Sequence, residues 1–415
     1  MKLSEELAWR GFNYQTTYKD LSSLDDQPIT FYWGVDPSAD SMTIGNFAAA
    51  MMVKTFARHG HKPVLLIGGA TGMIGDPDGK SEERQLKTLD EINQNKVVIV
   101  NQYKQIFGSQ SFELVDNYDW FNDMGYLQFL REVGKHVPMR QMLAREFVQS
   151  RLSETGSGIS YAEFSYVLIQ AYDFYYLSKN HGVNLQVCGS DQWGNSIAGL
   201  DLIRRMTGNE VNVYSVPLLV DASTGRKFGK TEDGAVWLDS KKTSPTQFYQ
   251  FWINTSDNVV ENYLKIFTEL SKEEIEETMS RHNEDRQKRL AQTRLAEQVT
   301  ILIHGEQDMR FAKAVTDYLT AKTLLSEIDG DVLKIIRREI PSVKASPDGS
   351  IIDALVTTGL ASSNTAARQL LNDQAVSING ERVSRDQFNP SDFQNGRLLI
   401  RRGKAFKDSA LVEQG

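Results

Sequence analysis

The chain has 415 residues, 40% of them hydrophobic and 24% charged, with a formal net charge of −8. That length predicts more than one domain, and that composition predicts a water-soluble globular protein. No apolar run approaches the ~20 residues of a membrane-spanning helix, and the acidic balance argues against a protein that coats nucleic acid indiscriminately. The start, Met1-Lys-Leu-Ser-Glu-Glu6, has no apolar core of the signal-peptide kind. A single cysteine, Cys188, excludes an intrachain disulfide and fits a reducing compartment. A cytoplasmic location with no membrane partner is therefore expected.

In chain order, residues 1–30 read as a short helix and a polar arm. Residues 30–35 are β-branched or aromatic apart from Gly34, which predicts a strand. Asp36-Pro37 breaks it, because a residue before proline is pushed out of the helical region. A helix restarts at about residues 41–44 and runs on through Ala48, Ala49 and Met51. A strand, a bare glycine and a helix N-terminus form a phosphate-binding geometry, although an ordinary βα unit has the same outline. Strands at 63–69, 184–189 and 211–220, with helices at 86–107 and 195–206 between them, predict a parallel sheet with crossover helices over residues 1–220. The segment from about 120 to 160 is denser in helical and charged residues and reads as an insertion that could pack on a partner subunit.

Residues 221–240 are a turn-rich loop and linker, and 241–330 show apolar residues at three- and four-residue spacing, an α-helical domain. Residues 331–348, with Pro341 and Pro347, read as a linker. Residues 349–415 form a small α+β domain with helices at 351–357 and 364–372 and strands near 376–378 and 398–401. Between those strands Asn379-Gly380 is a strong hairpin signal. Arg401, Arg402, Lys404 and Lys407 form a basic cluster that a solvated strand end explains about as well as RNA does.

Gly68-Gly-Ala-Thr-Gly-Met-Ile-Gly75 resembles the glycine fingerprint of NADP-dependent reductases. It continues into Asp76-Pro77-Asp78-Gly79, however, which is turn chemistry rather than the helix that fingerprint requires. Close backbone approach to a ligand, with Asp76 in the same cleft, is the better reading. Tyr166, Gln170 and Asp173 are spaced four and three apart on an otherwise apolar helix, so they share one face. Buried polar groups must be paired, either with one another or with a ligand, and a phenol-bearing ligand suits this set. Ser190, Asp191 and Gln192 follow a strand and open a helix, where they could cap it or accept ribose hydroxyls or an amine. Lys227-Phe-Gly-Lys230-Thr231 places two lysines and a threonine on a glycine-containing loop that can neutralise a polyphosphate; a solvated basic hairpin is the plain alternative.

These segments in this order resemble a bacterial tyrosyl-tRNA synthetase, of the class I aminoacyl-tRNA synthetases, over nearly the whole length. Thr43-Ile-Gly-Asn46 stands where the family usually has His-Ile-Gly-His, and Lys227–Thr231 matches its second, lysine-bearing signature. Residues 69–77, 117–120, 163–173 and 189–195 match further family segments, and 349–413 resemble a small ribosomal-protein-like RNA-binding domain. The resemblance implies a Rossmann-like catalytic domain, a helical anticodon-side domain and a C-terminal RNA-binding domain. It implies formation of tyrosyl-adenylate from L-tyrosine and ATP, then transfer of tyrosine to tRNA(Tyr), by a homodimer whose interface is the 120–160 segment. Tyr32 and Asp173 would grip the phenol hydroxyl; Asp76, Tyr166 and Gln170 the ammonium; Gln192 would lie near the carboxylate, with Asn117 in support. Gly34, Asp36, Gly45, Asn46 and Asp191 would receive ATP, and Ser38, Thr43, Lys227, Lys230 and Thr231 its phosphates. No permanently bound cofactor or protein-held metal is implied; ATP is a co-substrate that brings Mg2+. Rival readings are a tryptophanyl-tRNA synthetase, the NADP oxidoreductase, and a weakened paralogue that keeps RNA binding. The last is suggested because none of the six histidines falls in the first signature.

Overall fold

The computed structural model describes residues 1–77, 86–218, 230–231, 234–319, 329–403 and 408–415. They form two compact units, residues 1–243 with 255–295 and residues 244–254 with 296–415. The first unit is built on a sheet of β1 (Gln15–Thr16), β2 (Thr30–Val35), β3 (Lys62–Ile67), β4 (Glu113–Asp116), β5 (Leu185–Gly189) and β6 (Asn212–Val216). Their spatial order is β1-β6-β5-β2-β3-β4. All neighbours are parallel except the short edge strand β1, which runs antiparallel to β6. The chain builds outward from β2 through β3 to β4 and then returns to β5 on the other side. Ligands of such sheets bind beyond the carboxyl ends of the strands at that switch point.

Successive side chains of β2 point to opposite faces, and both faces are covered, as a parallel sheet requires. Phe31 packs on Phe56 of the helix Ile44–Arg58 (ring centroids 5.1 Å), and Trp33 on Tyr103 of the helix Leu89–Phe107 (5.5 Å). Tyr32 turns the other way, onto Phe174 of the helix Tyr161–His181 at 5.3 Å. That alternation puts the Tyr32 hydroxyl on the side of the long polar-faced helix. This helix is capped reciprocally by Ser160 and Glu163 and stopped at Gly182. Glu163 also pairs with Arg151 at 2.9 Å, both side chains being buried. The short strand pair β7 (Lys230–Thr231) and β8 (Gly234–Ala235) follows, antiparallel.

Residues 241–330 contain the expected helices, among them Pro245–Ile253, Val260–Phe267, Lys272–Glu284 and Glu306–Leu319. They are shared between the two units rather than forming one domain. The reason is specific: the buried Arg10 guanidinium donates to the carbonyls of Lys265 (2.5 Å), Thr268 (2.8 Å) and Leu270 (3.0 Å). Phe267 stacks on Phe47 at 5.6 Å. Those contacts fasten residues 260–270 to the helices Leu3–Arg10 and Ile44–Arg58.

In the second unit, residues 331–348 are not a linker. They hold most of the helix Gly330–Glu339 and a strand, β9 (Ser342–Ala345). The strand alternates exposed Ser342 and Lys344 with half-buried Val343 and Ala345, a pattern too short to stand out beside two prolines. It joins β10 (Val376–Ile378), β11 (Glu381–Arg382), β12 (Arg397–Arg402) and β13 (Ser409–Gln414) in the order β11-β10-β12-β13-β9. Leu398, Ile400, Ala410 and Val412 face the helices Ile351–Thr357 and Asn364–Asn372, while Leu399 and Leu411 face Val332, Leu333 and Ile336. Asn379 (φ 49°) and Gly380 (φ 92°) make the expected tight turn, although it leads directly to β11, with β12 pairing on the far side of β10. Among the described residues, no helix is long and apolar enough to cross a membrane.

Candidate active site

The carboxyl ends of β2, β3 and β5 open on a cavity of about 360 Å3. Tyr32, Gly34, Asp36, Ser38, Thr43, Gly45 and Asn46 line it from β2 and the helix start that follows. Asp76, then Tyr166, Gln170 and Asp173 from the long helix, and Asp191 and Gln192 after β5 complete the expected set. Asn117 stands behind the lining, fully buried. Lys227 lies outside the described residues, as do the side chains of Lys230 and Thr231, whose backbone forms β7.

The deep end is set by Asp173 and Tyr32, each only 2% exposed. Asn117 Nδ2 donates to Asp173 Oδ2 at 3.0 Å and Trp120 Nε1 donates to Oδ1 at 2.9 Å. Burial drives the Asp173 carboxyl well above the usual range, and those two donors offset part of that rise. Among the described residues the Tyr32 hydroxyl has no hydrogen-bond partner, and burial followed by the nearby Asp173 pushes its pKa far up. A buried hydroxyl without a partner costs about 1–3 kcal/mol. The pair therefore suits a ligand group that can accept from Tyr32 and donate to Asp173, which a phenol hydroxyl does.

The middle of the cavity is acidic. Tyr166 OH donates to Asp36 Oδ2 (2.7 Å), and Thr71 Oγ1 donates to Asp36 Oδ1 (2.6 Å). Asn117 Nδ2 also reaches Thr71 Oγ1 (3.0 Å), so one polar chain runs from Asp36 to Asp173. Gln192 Nε2 donates to Asp76 Oδ2 at 2.6 Å, and Asn195 holds the other end of that amide at 3.1 Å. Two carboxylates, Tyr166 and Gln170 Oε1, which has no partner among the described residues, suit a cationic group. Asp36, expected at the nucleotide, is thus held by Tyr166 and Thr71.

Two glycines of the run lie hard against side chains from neighbouring strands. A Cβ on Gly68 would overlap the Asp36 carboxylate and Thr71, and one on Gly69 would overlap the Asp116 carboxylate. The missing side chains make room for acids from neighbouring strands, and the run closes as a short helical turn, Thr71–Ile74. The run does not lead into the long helix that a dinucleotide fingerprint opens.

At the opposite end Thr43 is the N-cap of the helix Ile44–Arg58, and its N–H and hydroxyl both donate to Asn46 Oδ1, at 3.1 and 3.0 Å. The first signature is therefore a reciprocal cap, in which the Asn46 oxygen is used internally and its amide NH2 remains as a donor. Among the described residues no cluster of acids, histidines and cysteine could hold a metal ion.

The family profile described as tRNA synthetases class I (W and Y) matches residues 24–320. The profile of a tyrosine–tRNA ligase SYY-like C-terminal domain matches residues 331–407. A tyrosine–tRNA ligase 2 of Bacillus cereus is 42% identical over 426 aligned residues, covering 100% of both chains. A tyrosine–tRNA ligase of Yersinia pestis is 44% identical over 97% of each.

The chain belongs to the tyrosine–tRNA ligase family.

The structure of a C-terminally truncated mitochondrial tyrosyl-tRNA synthetase from Aspergillus nidulans superposes with a TM-score of 0.69 at 31% identity, covering 77% of this chain and 94% of the other. Membership decides against the oxidoreductase and, through the C-terminal profile, favours tyrosine over tryptophan. Sequence reasoning about this tyrosine–tRNA ligase family member left Thr71 and Trp120 without a role. Trp120 stands three residues after Asn117 in a single turn, a spacing that brings both donors to one carboxylate and was open to reading. Thr71 gave no such signal, because its partner Asp36 comes from another strand end.

Proposed function

We propose that this tyrosine–tRNA ligase binds L-tyrosine with its phenol between Tyr32 and Asp173 and its ammonium among Asp76, Tyr166 and Gln170. Gln192 lies by the carboxylate, and Asn117 holds Asp173. ATP enters over Gly34, Gly45, Asn46 and Asp191, with Asp36 beneath it, and carries its own Mg2+. Ser38, Thr43, Lys227, Lys230 and Thr231 serve the phosphates. A carboxylate oxygen of tyrosine attacks the α-phosphorus, the bond to the β-phosphate oxygen breaks, and pyrophosphate leaves with that electron pair. A terminal ribose hydroxyl of tRNA(Tyr) then attacks the carbonyl carbon, and AMP leaves. No protein nucleophile is required: rate comes from alignment and from charge stabilisation around the leaving group.

The observation that carries this reading is the Tyr32 hydroxyl, buried and unpaired beside Asp173. A site built to pair a substrate hydroxyl rejects the analogue that lacks it, a rule for which tyrosyl-tRNA synthetases are themselves the standard example. The exposed Tyr126, Leu127, Met139, Leu143 and Leu152 support a second copy of the chain as the occupant of the 120–160 surface. The domain matching residues 331–407 would engage the tRNA in the cytoplasm. Amino-acid-dependent ATP–pyrophosphate exchange, followed by charging of tRNA(Tyr), tests the assignment. Exchange should require tyrosine, with tryptophan and phenylalanine near background. Exchange driven by tryptophan alone would overturn it.

A further inference from the structure

Backbone pairing links residues 230–231, the described end of the second signature, to the first signature. β8 continues into residues 236–239, and these pair with the residues that precede the signature helix. Ile44 N–H donates to the Val236 carbonyl (3.1 Å), Leu238 N–H donates to the Met42 carbonyl (2.9 Å), and Thr43 and Trp237 form an antiparallel bridge. The hairpin that carries Lys230 in β7 is therefore in register with Thr43 through its return strand.

A buried polar hub fixes that ladder. The Ser41 hydroxyl donates to the Met42 carbonyl at 2.9 Å and accepts from the Asp239 N–H at 3.1 Å and from Gln102 Nε2 at 2.8 Å. Gln102 Oε1 accepts from the Met42 N–H at 2.8 Å. Ser41 and Gln102 are 5% and 6% exposed, and the Ser41 hydroxyl and both polar atoms of the Gln102 amide are hydrogen-bonded. Neither residue is among those that line the cavity. Satisfied buried networks fix one geometry, and a half-satisfied one is costly.

We infer that Ser41 and Gln102 are positioning residues for adenylate formation: they hold Thr43 and the strand leading from Lys230 in a single register at the phosphate end. The inference rests on the assignment of Thr43 and Lys230 to the ATP phosphates. Misplacement of aligned groups by about 1 Å can cost on the order of 100-fold in rate. Ser41→Ala and Gln102→Leu should accordingly lower kcat for tyrosine-dependent exchange by about tenfold to a hundredfold. The KM for tyrosine, and tyrosine binding by equilibrium fluorescence titration, should stay within about twofold. Gln102→Glu keeps an acceptor for the Met42 N–H and can accept from Ser41 when the hydroxyl turns, so it should recover most of the rate. Combined with Lys230→Ala, Ser41→Ala should add little, because both act through one unit.

A rate within twofold of wild type for Ser41→Ala, while Lys230→Ala is impaired, overturns this inference alone. So does a fully additive double variant, or a loss of tyrosine affinity equal to the loss in kcat. An unimpaired Lys230→Ala overturns the phosphate-end assignment and the inference with it.

Discussion

A carboxylate as buried as Asp173 is tolerable because Asn117 and Trp120 donate to its two oxygens and leave further lone pairs open. At the residue scale, the phenol hydroxyl of the proposed substrate would be the remaining partner for both Asp173 and Tyr32. Removing the Tyr32 hydroxyl deletes one neutral hydrogen bond, about 0.5–1.5 kcal/mol, and also relieves an unpaired group. Tyr32→Phe should thus lower kcat/KM for tyrosine by only about tenfold and raise relative use of phenylalanine. Asp173→Asn should cost more, on the order of 100-fold, because its amide NH2 would confront the Asn117 or Trp120 donor. Exchange assays with both amino acids measure the two ratios, and equal losses for tyrosine and phenylalanine would remove the phenol assignment. Tyr166, Gln170 and Asp173 were legible as one helical face because a period of 3.6 brings those spacings together. The capture of Asp36 by Thr71 and Tyr166 was not legible, since it joins residues 35 and 130 positions apart.

At the scale of elements, the helix Leu3–Arg10 shows how a plain amphipathic segment acquires a charge-dependent hold. Burial raises the Glu6 carboxyl, but His59, Arg10 and Arg58 together outweigh it and hold the pKa at about 2, against 4.5 for the free group. Arg10 in turn ties this helix to residues 265–270. Between those two values the unfolded chain binds more protons than the folded one. The stabilisation is therefore complete above about pH 4.5 and is lost as the pH falls toward 2. Denaturant midpoints taken between about pH 5 and pH 2 should fall less steeply for Glu6→Gln than for the native chain. Parallel slopes would show that Glu6 is not the linked group. The elements themselves were visible where the period was clear: β2, β3, β5 and the long helix lie where alternation, apolar runs and the shared face of Tyr166, Gln170 and Asp173 put them. β4 and β9 were missed, because four residues with two half-exposed positions carry too little pattern.

For the whole molecule, the sequence marked the order of layers correctly but divided residues 241–348 by local composition. What binds residues 260–270 to the first unit is a set of carbonyls meeting one arginine, which composition does not record. What makes residues 342–345 part of the C-terminal domain is a parallel ladder to β13, from Leu411↔Ser342 to Gln414↔Ala345. A fragment of residues 330–415 should consequently unfold cooperatively. One of residues 349–415, stripped of β9 and of the helix that covers Leu399 and Leu411, should not. Circular-dichroism melts of the two fragments decide this, and equal cooperative melts would restore residues 331–348 to the status of a linker.

A first signature of Thr43 and Asn46, without imidazole, should still build a tyrosine-activating site. Single-turnover formation of tyrosyl-adenylate, with enzyme in excess over labelled ATP, tests it most directly. The expected result is a saturable burst with L-tyrosine, absent with L-phenylalanine and L-tryptophan, and strongly reduced in Lys230→Ala. Adenylate appearing with tyrosine no faster than without enzyme would contradict the claim.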